Sequence, residues 1–107
     1  MAGGFFFVDI HLSHMYHVNM QLRWNPEKNE ILKATRNVSF EQVAEEIECG
    51  RNSEPVVNPS HPNQFVTVVK INDYPCVVPF VVEDGGGWFL KTIYQSRKEK
   101  RRLENGV

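Results

Sequence analysis

Arg97, Lys98, Lys100, Arg101 and Arg102 crowd into six consecutive positions directly after an apolar run. Ammonium and guanidinium groups at that density neutralise phosphate and release counterions from nucleic acid, so the chemistry they suggest is phosphate binding. The overall net charge of −1 hides this polarity. Residues 97–107 carry five cations against Glu99 and Glu104, a local charge of +3, which leaves −4 for the first 96 residues. A solvated tail or solvated helix face has the same composition, and charge alone leaves both readings open. Two further cations can join the set: Lys28 near the start of an expected helix, and Lys91 within the last expected strand. Tyr94 lies beside them, and the aromatic residues Trp88, Phe89 and Tyr94 are of the type that stacks on a splayed base. As large apolar residues on a strand, Trp88 and Phe89 are read first as core or half-core.

Other chemistries find less support. His11, His14 and His17 repeat every three residues and can in principle hold a transition metal, but no HExxH pattern or cysteine pair accompanies them, so no metal site and no cofactor are expected. Gly85-Gly86-Gly87 is not followed by Gly-Lys-Ser/Thr and reads as a turn, not a phosphate loop. Neither a nucleophile elbow nor a paired-carboxylate arrangement can be picked out of the sequence. Cys49 and Cys76 are far apart and read as free thiols. No apolar run approaches the roughly 20 residues that span a bilayer, and Phe5-Phe6-Phe7-Val8 has no basic segment before it. A soluble cytoplasmic protein without membrane contact is expected.

The elements that must position these side chains follow from the pattern. With 107 residues, 41% of them hydrophobic, the chain suits one compact domain with one core. Residues 1–19 read as an appended, flexible segment and 20–107 as the domain. Met20–Trp24 alternates like a strand. Asn25-Pro26-Glu27 then supplies an N-cap, a proline suited to the first helical position and a favourable first-turn charge; Ile31 and Leu32 are expected in the core and Asn37 at the helix end. Ser39-Phe40-Glu41-Gln42 is a capping box, and Phe40, Val43, Ala44 and Ile47 form one buried helical face. Gly50 closes that helix. Three antiparallel strands follow over about 65–71, 74–82 and 88–94, joined at Asn72-Asp73 and at the glycines, with bulges or outward positions at Pro75 and Pro79. The predicted class is α+β: an antiparallel β-sheet with two N-terminal helices packed on one face and a short basic C-terminal helix.

Several of these segments together carry a resemblance. Trp24-Asn25-Pro26-Glu27-Lys28-Asn29, Asn37-Val38-Ser39-Phe40-Glu41, His61-Pro62-Asn63 and Phe89-Leu90-Lys91-Thr92-Ile93-Tyr94 leading to Ser96-Arg97-Lys98 resemble the BrnT family of bacterial toxins. The likeness runs from about Met20 to Arg102 and rests on the order and spacing of the segments. It implies a RelE-like ribonuclease fold, an RNA substrate, and a cognate antitoxin protein encoded by an adjacent gene; a homodimer is also admitted. Lys28 matches the family's early lysine, Arg97 and Lys98 its late basic pair, and Arg101 and Arg102 continue the basic helix. Where many members have Lys-His-Gly between the helices, this chain reads Lys33-Ala34-Thr35-Arg36-Asn37, so no histidine role is carried over there.

Such an enzyme attacks a phosphate with the neighbouring ribose 2′-hydroxyl, which requires a proton acceptor, charge stabilisation and a proton donor. The catalytic set expected on this basis is Arg97 and Lys98 on the phosphate, Lys91 and Lys28 as supporting cations, and His61 or Tyr94 for proton transfer. His61 is the only histidine in the matched region, and imidazole is suited to proton transfer near neutrality. Arg101, Arg102 and Tyr94 are expected to hold RNA. The alternative is a non-catalytic module of the same fold that binds RNA or protein through its basic end.

Overall fold

The computed structural model describes residues 5–9 and 19–105, with side chains from 21 to 104. In chain order the elements are β1 (Phe5–Asp9), β2 (Asn19–Trp24), α1 (Pro26–Arg36), α2 (Phe40–Glu48), β3 (Val56–Asn58), β4 (His61–Ile71), β5 (Tyr74–Val82), β6 (Trp88–Leu90), β7 (Tyr94–Gln95) and α3 (Arg97–Asn105). The fold is α+β. The sheet runs β1-β2-β6-β5-β4-β3, with β7 pairing β5. Within the segment expected to be appended, Phe5–Asp9 form β1 and pair antiparallel with β2.

The expected all-antiparallel sheet needs one correction: β2 and β6 are parallel, with Leu22 opposite Trp88 and Trp24 opposite Leu90. A parallel neighbour requires a long crossover, which α1, α2 and the β3–β5 strands supply. Gly87 fits this junction, since a Cβ there would lie 3.0 Å from both the Cβ and the carbonyl oxygen of Gln21.

Both helices start where their caps dictate. The Asn25 side chain accepts hydrogen bonds from the Glu27 and Lys28 amides, and Asn37 ends α1 with φ 57°. Ser39 and Gln42 close the capping box of α2. Gly50, at φ 72°, follows the end of α2. The buried face of α2 is as expected, whereas on α1 Leu32 is buried but Ile31 is 56% exposed. Its expected inward place is taken by Asn29, which accepts the Phe40 N–H at 2.8 Å and donates to Glu41 Oε1 at 2.8 Å, tying α1 to the start of α2. These helices cover the sheet face formed by Leu22, Trp24, Val69, Ile71, Val78, Phe80 and Leu90.

The hairpin between β4 and β5 turns at Asn72 and Asp73, with φ 54° and 66°. No bulge occurs at Pro75 or Pro79: the β4–β5 register is continuous from Ile71–Tyr74 to Phe65–Phe80. The irregularity falls on the next strand instead. The Pro79 carbonyl accepts from Lys91 N–H at 2.8 Å and the Pro75 carbonyl from Ser96 N–H at 3.1 Å. On an antiparallel strand the amide position of a residue points the same way as its carbonyl, so both prolines present a missing donor toward this neighbour. The single strand expected over 88–94 is accordingly broken into β6 and β7.

Candidate functional site

Side-chain alternation places Val66, Val68, Val77 and Pro79 on the sheet face opposite α1 and α2, because the intervening Thr67, Val69, Cys76 and Val78 face inward. Two adjoining grooves lie on this face. The smaller, about 300 Å³, is lined by Asn58, Ser60, His61, Gln64, Pro79, Lys91, Thr92 and Tyr94. The larger, about 640 Å³, has Val66, Val68 and Val77 on its floor, Val56 and Val57 on one wall, and Ser96, Lys98, Glu99 and Arg102 on the other. Asn58, Ser60 and Tyr94 belong to both.

Each wall is fixed by local bonding. His61 begins β4 directly across from Asn58, where the β3–β4 register shifts. Asn58 is 8% exposed; its oxygen accepts the Ser60 N–H at 3.0 Å and its amide nitrogen donates to Gln64 Oε1 at 3.4 Å, which shapes the turn carrying His61. Lys91 is held by the backbone bond to Pro79. Tyr94, 43% exposed, pairs with Val77. Between them Ile93 is fully buried, and its carbonyl accepts from Arg36 Nη1 at 2.7 Å, so the end of α1 braces the Lys91–Tyr94 segment from behind the sheet. Ser96 anchors α3: its amide donates to Pro75 and its Oγ accepts the Glu99 N–H at 3.1 Å.

The helical period then divides the basic run. Lys98 and Arg102, four residues apart and on one side of α3, face the larger groove. Lys100 points to another surface, where it pairs with Glu104 at 2.9 Å and lies 5.4 Å from the centre of the Tyr74 ring. The bond with Glu104, reinforced by its charge, holds the Lys100 ammonium above its ordinary pKa. Arg97 and Arg101 are exposed and line neither groove. Arg102 is engaged by Glu99, with Nη2–Oε1 at 2.7 Å and Nε–Oε1 at 3.1 Å. No carboxylate pairs with Lys91 or Lys98 among the described residues.

No family model, curated protein or solved structure matches this chain.

Of the residues singled out from sequence, His61, Lys91 and Tyr94 meet at the smaller groove, and Lys98 and Arg102 stand beside it at the larger one. Lys28 is apart from them. It sits in the first turn of α1, which belongs to the helix layer on the other side of the sheet, and lines neither groove. The emphasis within the basic run also shifts, from the neighbours Arg97 and Lys98 to the pair Lys98 and Arg102, because consecutive residues on a helix diverge by about 100°. Asn58, Gln64 and Ser96 were not anticipated. Their signals were present: Asn58-Pro59-Ser60 is a turn sequence, and Ser96-x-x-Glu99 has the form of a capping box. His11, His14 and His17 lie outside the described residues.

Proposed function

We propose that this protein is an endoribonuclease toxin of the kind its sequence resembles, and that its RNA site is the paired groove on the open sheet face. The observation that carries the reading is the convergence of His61, Lys91 and Tyr94 on one groove, with Lys98 and Arg102 lining the groove that adjoins it. Those five residues come from β4, from the segment after β6, from β7 and from α3, so the fold has gathered them from positions up to 41 residues apart.

The chemistry they suit needs neither metal nor cofactor. A ribose 2′-hydroxyl loses its proton to a base and its oxygen forms a bond to the adjacent phosphorus. The bond from phosphorus to the 5′-oxygen breaks, and that oxygen takes a proton from an acid, leaving a 2′,3′-cyclic phosphate and a 5′-hydroxyl. His61 and Tyr94 in the smaller groove serve proton transfer, and Lys91 and Lys98 supply the positive charge that stabilises the extra negative charge on phosphorus. Arg102 holds the strand beside them. The partner that goes with this reading is a cognate antitoxin protein from an adjacent gene, and the apolar floor of Val66, Val68 and Val77 is the surface a polypeptide would cover.

Purified protein should cut an RNA strand, fail to cut the same strand made of DNA or carrying 2′-O-methyl groups, and lose activity in Lys91→Ala and His61→Ala. Equal cleavage of DNA and RNA would overturn the mechanism. The non-catalytic alternative is favoured if cells expressing the chain grow normally with intact RNA while the purified protein binds RNA.

A further inference from the structure

Phe89, half-buried, lies on the face of β6 turned away from α1 and α2: its neighbours Trp88 and Leu90 face the helix layer, Leu90 fully buried and Trp88 packed against the core. Across the sheet Phe89 is flanked by Arg23 of β2 and Val81 of β5. Two cations approach its ring: the Arg23 guanidinium carbon is 5.6 Å from the ring centre and Lys91 Nζ is 5.4 Å away. Arg23 is fixed in place, since its Nη1 bonds Glu83 Oε2 at 2.8 Å. Lys91 is shared, because it also lines the smaller groove.

We infer that Phe89, Arg23 and Lys91 form a nucleotide subsite that extends the RNA track beyond the groove holding His61 and Tyr94. The inference rests on the RNA reading proposed above and adds to it where the strand goes next. The phenyl ring and the guanidinium offer planar, apolar-faced surfaces of the kind on which unpaired bases stack without regard to sequence. Glu83 neutralises much of the Arg23 charge, so Arg23 acts through its plane more than as a phosphate clamp. Lys91, with no carboxylate partner among the described residues, is the cation available to the phosphate between the stacked nucleotide and the one in the groove. The subsite therefore takes a single-stranded ribonucleotide by its base, with little preference among the four.

The test uses the full chain and uncleavable 2′-O-methyl RNA strands of increasing length, with affinity read by fluorescence anisotropy. Phe89→Leu keeps an apolar side chain of similar bulk at a half-buried position, and circular dichroism with thermal melting checks that it folds. One stacked base corresponds to about 5- to 150-fold in affinity. Phe89→Leu should weaken binding by an amount in that range for strands long enough to reach the subsite and leave the shortest binding strands unaffected. Replacing the outermost nucleotide by an abasic one should remove the difference between Phe89→Leu and wild type. If Phe89→Leu binds every length as wild type does, while Lys98→Ala weakens all of them, the subsite is wrong and the groove reading stands. If wild-type protein binds none of the strands, both fail together.

Discussion

The division of the basic run between groove and solvent makes a quantitative prediction about salt. For single-stranded nucleic acid, the logarithm of affinity falls against the logarithm of salt with a slope of about −0.7 per phosphate neutralised. Lys91 and Lys98 line the grooves without carboxylate partners among the described residues, while Arg102 lines the larger groove already bonded to Glu99. The slope for an uncleavable strand should then lie between about −1.4, for the two lysines alone, and about −2.1, if Arg102 contributes in full. Raising salt from about 50 to about 200 mM would weaken binding by roughly 7- to 18-fold. Lys98→Ala should flatten the slope by about 0.7, and Arg102→Ala by less because of Glu99. Glu99→Gln should steepen it, since the variant releases Arg102 while the Ser96 cap on the Glu99 backbone amide remains. The double variant Arg97→Ala/Arg101→Ala removes two charges, more than any of these, but none from the grooves, and should leave the slope nearly unchanged. Anisotropy titrations at four or five salt concentrations, about 50 to 200 mM, measure all of this. A double variant that flattens the slope by about 1.4, with Lys98→Ala and Arg102→Ala inert, would show that RNA follows the outer side of α3 and that the groove assignment is mistaken.

Two further outcomes concern the frame that holds the site. Asn29→Ala removes the acceptor for the buried Phe40 N–H and the donor to Glu41; it should cost about 1–3 kcal/mol in urea denaturation, and a variant as stable as wild type would mean that the α1–α2 bridge carries no net stability. The Arg51 guanidinium bonds both carboxylate oxygens of Glu46, at 3.0 and 2.9 Å, and holds its carboxyl below the ordinary 4.5. A depressed folded-state pKa gives stability that is present above 4.5 and lost as pH falls through the lowered value. Arg51→Ala should therefore be less stable than wild type near neutrality, with the gap closing below about pH 4.5; a gap that widens on acidification contradicts the assignment.

Much of the frame was legible because it depends on local chemistry. The caps at Asn25 and Ser39, the left-handed turn residues Asn37, Asn72 and Asp73, and the buried face of α2 each follow from residue type and spacing within one turn of chain. What was not legible depends on pairing between distant segments. Nothing local to Trp88–Leu90 says that it lies parallel to Leu22–Trp24, and the tight fit of Gly87 against Gln21 becomes meaningful only once that pairing exists. Ile31 failed for a related reason: the inward side of α1 runs through Asn29 and Leu32, and Asn29 is held there as the acceptor for the amide of Phe40.

The same distinction explains the site. Residue types singled out the cations and His61 as candidates, but which of them lie together is decided by two geometrical facts. The first is the helical phase of α3, set by Ser96, whose bonds to Pro75 and to the Glu99 amide turn Lys98 and Arg102 toward the sheet and leave Arg97 and Arg101 outside. The second is the break after β6, where Pro75 and Pro79 lack the donors a continuous strand would use. Freed from regular pairing, the Lys91–Ile93 segment buries Ile93 under Arg36 and leaves Lys91 and Tyr94 on the open face opposite His61. A basic tail alone is compatible with many surfaces. Joined to a proline-interrupted strand and a serine cap, it becomes one wall of a groove that adjoins the one lined by His61.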